Sequence, residues 1–254
     1  MIKRNYLLLP DWSIKYPGLI CGFTLPEYGN QALTRKSISS KKTTLQNRVY
    51  LAEALNVNIQ NFFYPHQIHS DIVIKVDSSK KGLGACSINN AVEGDACITN
   101  EKEILLIVTW ADCIPILLYD PLSGWIAAVH SGWKGTLHNI IGKTINNLKR
   151  NKVDVKNIFV AIGPGIRDCC YKVGDEFKEY FRETGLLGFL RETGNSLFFD
   201  LAGSVYKQII DSGVNKTNID FYGKCNSCNK NPDFFSCRKH GNDFEAQAAF
   251  IGLF

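Results

Sequence analysis

The sharpest chemical signal in the chain is a cysteine and a histidine that a short hairpin would bring side by side. Apolar runs at 114–119 and 125–129 flank Asp120-Pro121-Leu122-Ser123-Gly124, a cluster of turn-forming residues that predicts an antiparallel hairpin. The first run is preceded by Trp110-Ala111-Asp112-Cys113, and the second ends in His130-Ser131-Gly132-Trp133-Lys134-Gly135. An antiparallel pair sets the start of one strand beside the end of the other. Cys113 and His130, 17 positions apart (130 − 113), are therefore expected to be spatial neighbours. A thiolate and an imidazole so placed can share a metal ion or act as nucleophile and base. A buried thiol beside a strand-capping histidine is the bland alternative. Gly132 and Gly135 lead into a helix beginning near Thr136, and such a strand-to-helix turn aims backbone N–H groups at whatever sits beside His130.

A metal needs a third ligand. The chain has five histidines: His66, His69, His130, His138 and His240. His138 falls among the apolar positions of the following helix and reads as a surface or core side chain. His66 and His69 form H-x-x-H just before an apolar run at 71–76, and His69, nearer that run, is the better candidate. A separate constellation, Cys225, Cys228, Cys237 and His240, spells C-x2-C-x8-C-x2-H, a spacing suited to a structural zinc. Cys169 and Cys170 are adjacent, so on a strand they would point to opposite faces, and shared ligation is not expected. Cys21, Cys86 and Cys97 read as core or surface thiols.

The elements that must position these residues are visible as periodicity. Apolar β-type runs lie at 19–24, 71–76, 104–109, 114–119, 125–129, 157–162 and 219–222. Several are solidly apolar, as in strands covered on both faces. Helical stripes lie between them: Leu45, Val49, Ala52 and Leu55; then Leu137, Ile140, Ile141, Ile145 and Leu148, closing on Lys149-Arg150. Phe177, Tyr180 and Phe181 fit a short helix after Gly174, and Leu201, Val205, Ile209 and Ile210 fit another behind Asp200 as N-cap. Strands and helices mix without strict βαβ alternation. This predicts an α/β (α+β) fold of mixed β-sheets in layers flanked by helices, with residues 1–254 as a single domain.

At 254 residues, 45% hydrophobic and 21% charged, the chain has an ordinary globular composition and can bury a sizeable core. No apolar stretch approaches the ~18 residues of a membrane span. The apolar run after Lys3-Arg4 ends at Pro10, short of the about 7–15 residues of a signal peptide's apolar region. A cytoplasmic, reducing location is expected, where nine cysteines serve as thiols or metal ligands rather than as a disulfide framework. The net charge of +5 comes from scattered basic residues. There is no stripe for nucleic acid and no protein partner is evident, but so mild a basic balance suits a small anionic substrate.

Six runs occur in order: QIHSDIV (67–73), GDACIT (94–99), ADCIPILLYDP (111–121), AVHSGWKGT (128–136), IGPGIRDCCYKVGDEF (162–177) and FFSCRKHG (234–241). Together they resemble the polyphenol-oxidase or laccase-domain family, now regarded as zinc-dependent purine nucleoside phosphorylases, over about residues 60–254. The resemblance implies that His69, Cys113 and His130 bind one metal, with about one zinc per chain. It implies purine nucleosides (adenosine, inosine, guanosine, methylthioadenosine) and phosphate as substrates, with adenosine deaminase activity at the same site. Asp95, Asp112 and Glu176 are the carboxylates of the matched motifs. Asp112, next to a ligand, is placed to orient an imidazole, and Asp95 is a substrate-site candidate. Arg48, Lys134 and Arg238 are the basic side chains offered for phosphate, guanidinium forks suiting its oxygens. The resemblance weighs against the C-terminal Cys/His cluster as a zinc site, because Arg238 within it matches a substrate-site position. The sequence departs from the family pattern at GFTLPEYGNQALTRKS (22–37), at Phe235-Ser236-Cys237-Arg238-Lys239 where the family has F-S-x-R-R, and at Phe244-Glu245 in place of G-R, while Asn47-Arg48 is retained.

Two histidines and one thiolate leave a tetrahedral ion with one open position, the arrangement of catalytic zinc. Such an ion supplies a water-derived nucleophile at neutral pH. Its attack at C6 of adenosine releases ammonia, whereas phosphorolysis holds phosphate beside C1′ while the glycosidic bond breaks. A copper-dependent polyphenol oxidase is one alternative, but a multicopper cluster asks for on the order of ten histidines, and this chain has five. A cysteine hydrolase using Cys113 and His130 is another, and it leaves His69 idle. A nucleic-acid-binding knuckle at the C-terminal cluster lacks the basic stripe it would need.

Overall fold

The apolar runs become strands of two stacked sheets in the computed structural model, those at 71–76 and 219–222 forming the edges of one sheet and the others lying inside; the structure describes residues 7–33, 39–228, 234–241 and 244–254. The end of the divergent N-terminal stretch, residues 34–37, lies outside the described residues. One sheet has, in spatial order, β1 (Leu7–Leu8), β2 (Leu19–Thr24), β14 (Gln247–Leu253), β6 (Leu105–Trp110) and β3 (Phe62–Phe63). The other has β13 (Ile219–Phe221), β9 (Phe159–Ile162), β7 (Ile114–Tyr119), β8 (Ile126–Ser131), β5 (Ala96–Thr99) and β4 (Val73–Lys75). A small third sheet contains β10 (Lys172–Val173), β12 (Ser196–Phe199) and β11 (Leu190–Thr193). Both large sheets are mixed: β3 runs parallel to β6, and β13 and β4 run parallel to β9 and β5. The remaining pairings are antiparallel.

Side chains alternate across a strand, and that alternation builds the layers. Leu117, Tyr119, Ile126 and Ala128 pack with Phe23, Leu106, Val108 and Ile251 between the two large sheets. Ile114, Ile116, Leu118, Ala127 and Val129 point the other way, onto α3 (Ile140–Arg150) and α5 (Leu201–Asp211). On the far side, Leu105, Ile107, Ala248 and Phe250 meet Leu51, Ala52 and Leu55 of α1 (Lys41–Leu55). The expected layered, helix-flanked α/β architecture is thus observed as helix, sheet, sheet, helix. Both faces of β7 and β8 are covered, which is why their sequences read as continuous apolar runs. No helix among the described residues is long and apolar enough to cross a membrane.

The 114–119/125–129 hairpin forms as expected, with Ile114 opposite Ser131 and Pro115 opposite His130. Its turn is held by Asp120, whose carboxylate accepts the amides of Leu122 and Ser123. The helix expected from Thr136 is instead two pieces, α2 (Trp133–Leu137) and α3. Asn139 adopts φ 55° and its side chain caps the amide of Gly142, so an Asn that tolerates the left-handed region breaks the apolar stripe into a short helix against the site and a longer one against the sheet. The short helix α4 (Glu176–Phe181) follows Gly174, and Asp200 caps α5 by accepting from the amide of Gly203.

Candidate metal centre

His69, Cys113 and His130 converge. Their ligand atoms all lie within 4.8 Å of one another, with Cys113 Sγ 3.9 Å from His69 Nε2 and the two imidazoles edge to face at 5.0 Å between ring centres. Each arrives from a different element. His130 is on β8, Cys113 lies just ahead of β7, and His69 is in the loop before β4. His66, the other candidate of H-x-x-H, is held away by backbone bonding to Val92 and Gly94, and its ring faces Glu93 at 3.8 Å.

Asp95 organises the cluster. It is completely buried, and its carboxylate accepts the amides of Ile68 (3.2 Å), His69 (3.1 Å) and Ser70 (2.6 Å) and the Ser70 hydroxyl (2.7 Å). Successive amides turned onto one anion form a nest. This nest accommodates the φ of 59° at His69 and swings its ring back towards Cys113. The same carboxylate takes His130 Nδ1 at 2.8 Å, leaving Nε2 to face the thiol. Burial by itself would raise the pKa of Asp95, but the His130 and Ser70 bonds outweigh it and hold it at about 2. Burial likewise opposes ionisation of Cys113, yet the imidazoles of His130 and His69 bring it down to about 6. The thiolate and Asp95 in turn push His130 up, against its own desolvation. An anionic sulfur facing two imidazole nitrogens is a donor set that a divalent cation fits, since the ion replaces the proton the three groups would otherwise share.

Gly132 is required by this packing. A Cβ there would stand 2.9 Å from Cys113 Sγ and 3.1 Å from the His69 ring, so the strand-to-helix turn can pass the cluster only without a side chain. Gln67 fixes the His69 loop from the other side. Its amide nitrogen donates to Thr109 O and its oxygen accepts from the Thr109 amide and hydroxyl.

The triad lies in the wall of a cavity of about 630 Å³ that also has Trp133, Tyr171, Ile166 and Arg238 along it. Trp133 stacks on Tyr180 at 5.5 Å and tilts against Phe177 at 5.0 Å, which fixes its ring as a flat apolar surface. The Arg238 guanidinium sits 5.4 Å from the Tyr171 ring and donates to Lys172 O.

Several sequence expectations are corrected here. Asp112 does not orient a histidine. With φ 89°, its carboxylate accepts the Ser236 hydroxyl and the Arg238 amide, both at 2.6 Å, and so anchors α6 (Cys237–His240) at the cavity. The acid bonded to His130 and to the His69 loop is Asp95, which is buried and is not among the residues lining the cavity. Arg48 is also buried. Its guanidinium donates to Gln31 O, Gly84 O and Ala85 O and lies 3.6 Å over the Tyr64 ring. It is a structural cross-link that does not line the cavity. Lys134 is exposed, with its ammonium 5.6 Å from the Trp133 ring, and it does not line the cavity either. Glu176 opens α4. Of the three basic candidates, Arg238 alone reaches the cavity.

The C-terminal constellation is likewise rearranged. Cys237 Sγ lies against Gly241 O and His240 Nδ1 against Ser236 O, away from Cys225 and Cys228. Those two are joined instead by Cys169 and Cys170. The expectation from strand alternation fails because Cys169 and Cys170 occupy a turn, closed by the Cys170 and Tyr171 amides on Arg167 O.

A family profile described as multi-copper polyphenol oxidoreductase laccase matches residues 20–254. A purine nucleoside phosphorylase of Clostridium acetobutylicum is 37% identical over 195 residues, covering 76% of this chain and 78% of that protein. An adenosine deaminase, RL5, from an unknown prokaryotic organism is 30% identical over 83% of this chain and 81% of its own length. The crystal structure of YlmD from Geobacillus stearothermophilus superposes with a TM-score of 0.86 at 30% identity, over 94% of this chain and 93% of that one. The layered sheets, the Cys113–His130 hairpin and the match over nearly the whole sequence agree, and this chain belongs to the multi-copper polyphenol oxidoreductase laccase family.

Proposed function

We propose that the chain is a zinc-dependent purine nucleoside phosphorylase that also deaminates adenosine, with His69, Cys113 and His130 as the metal ligands. The observation that carries the reading is the convergence of two imidazoles and one thiol at a cavity of nucleoside size. Two nitrogens, one sulfur and an open direction suit zinc. The relatives named purine nucleoside phosphorylase and adenosine deaminase support the pair of activities.

Zinc bound by the three side chains supplies Lewis acidity to an oxygen nucleophile. The chain's own residues do the rest. Asp95 fixes the tautomer of His130 and the loop of His69, so both imidazoles are oriented before substrate arrives. Trp133 and Tyr171 offer ring faces to a purine and exclude water. Arg238 presents a guanidinium fork to phosphate oxygens, and Asp112 holds its backbone in place. The family's copper name finds no support in the remaining histidines. His66 faces Glu93, His138 is exposed and His240 bonds Ser236, so they are too dispersed to ligate a copper cluster.

The test is metal analysis of the purified protein together with incubation of adenosine, inosine and methylthioadenosine, with and without phosphate. Zinc, phosphate-dependent release of free base and phosphate-independent release of ammonia from adenosine are expected. Copper with phenol oxidation, or neither nucleoside reaction, would overturn the reading.

A further inference from the structure

Four cysteines converge a second time, outside the cavity. Cys169 and Cys170 come from the loop between β9 and β10, and Cys225 and Cys228 from the segment after β13. Their sulfurs all lie within 4.8 Å of one another. Cys228 Sγ is 3.3 Å from Cys169 Sγ and 3.4 Å from Cys170 Sγ. A disulfide would bring two sulfurs to about 2.05 Å and leave the others aside, and Cys228 cannot bond both of its neighbours. A tetrahedral ion with metal–sulfur bonds of about 2.3 Å sets its four sulfurs roughly 3.8 Å apart, between the 3.3 and 3.4 Å pairs and the 4.8 Å bound on the whole cluster. Four thiolates without imidazole or carboxylate form the soft, closed donor set of a structural site.

We propose that Cys169, Cys170, Cys225 and Cys228 bind a second zinc ion, structural in role and separate from the ion of the triad.

The position of the cluster gives that ion a purpose. Its two loops meet through a few hydrogen bonds: Gly165 pairs with Cys225, with the Gly165 amide 3.3 Å from Lys224 O and the Asn226 amide 3.3 Å from Gly165 O, and Arg167 Nη1 donates to Gly223 O at 3.0 Å. Ile166 and Tyr171, on the first loop, line the cavity. The second loop reaches the segment carrying Arg238 through Asn226 Nδ2, which donates to Phe235 O at 3.0 Å. An ion clamping the two loops therefore fixes the part of the cavity wall that carries Ile166 and Tyr171. Ile166 N also donates to Asp112 O at 2.7 Å, which ties the clamp to the residue next to Cys113.

The test counts metal in the full-length protein and does not depend on activity. Plasma mass spectrometry should find about two zinc ions per chain in the wild type, and about one in each of Cys225→Ser/Cys228→Ser and His69→Ala/His130→Ala. Cobalt exchanged into the His69→Ala/His130→Ala variant should give intense thiolate-to-cobalt charge-transfer bands of an all-sulfur tetrahedral site. That variant decides the matter even if the cysteine variant is insoluble. One zinc in the wild type, lost with the cysteine pair and kept without the histidines, would uphold this site and refute the metal triad. One zinc lost with the histidines and kept without the cysteines would overturn this site and leave the triad standing. A non-reducing peptide map linking Cys228 to Cys169 or Cys170 in freshly purified, metal-replete protein would also overturn it.

Discussion

Asp95 grips His130 twice, its backbone carbonyl accepting the His130 amide at 2.7 Å and its carboxylate meeting Nδ1 at 2.8 Å. Because that carboxylate also gathers the amides of residues 68–70, a single buried acid orients one histidine of the triad and shapes the loop carrying another. The triad's geometry is therefore set in advance of any ion.

Replacing Asp95 with Asn keeps the shape but turns one acceptor into a donor facing donors. Metal affinity at the triad should fall about 10–100-fold. Stability should fall by about 3–5 kcal/mol, as when one member of a buried pair is removed. A zinc titration against a competing chromophoric chelator, alongside thermal denaturation, checks both. Unchanged affinity would mean the carboxylate holds the loop without orienting the ligands.

Gly132→Ala separates the site from the fold. The backbone there has φ −83°, so alanine meets no conformational strain, and its methyl collides only with Cys113 and His69. Activity should drop at least about 10-fold while stability changes by about 1 kcal/mol or less. A large loss of stability in a denaturant titration would show that the turn, rather than the ligand cluster, is what the glycine protects.

Arg238 and Arg48 should part company on substitution. Arg238→Ala should raise the KM for phosphate more than that for nucleoside, because the side chain lies on the cavity. Arg48→Ala should instead unfold the protein more easily, by about 3 kcal/mol or more, since it strands buried carbonyls that the guanidinium satisfies. Equal losses of deamination and phosphorolysis in Arg238→Ala would place that arginine on the nucleoside or on the fold.

How much of this was legible in the sequence follows from what kind of contact each feature needs. The hairpin that joins Cys113 to His130 was readable because turn chemistry and apolar runs are local. The layered fold followed from runs apolar on both faces. Asp95 as the orienting acid was not readable, because its role depends on three amides of a loop more than twenty residues away, and nearness in sequence favoured Asp112. Arg48 looked like a phosphate ligand because charge is visible in a sequence and burial is not. The cysteine cluster was misassembled since C-x2-C-x8-C-x2-H is a spacing, while the partners of Cys225 and Cys228 come from a turn that strand alternation wrongly excluded.

Cys113 should be shielded by its metal. The thiol is held ionised, at about 6, by the neighbouring imidazoles, so the metal-free protein should react quickly with iodoacetamide at neutral pH. Peptide mapping of zinc-replete protein should show slow labelling at Cys113 that accelerates about 10-fold or more after chelation. Equal rates with and without metal would favour a cysteine nucleophile paired with His130.

The most direct test of the account is the rate of free-base release from inosine, measured with phosphate present in wild type and in His69→Ala, Cys113→Ala and His130→Ala. Each single substitution should abolish the reaction, because two remaining ligands hold zinc weakly, while circular dichroism shows the fold intact. A variant that releases base at close to the wild-type rate would contradict the claim that these three residues form the catalytic metal site.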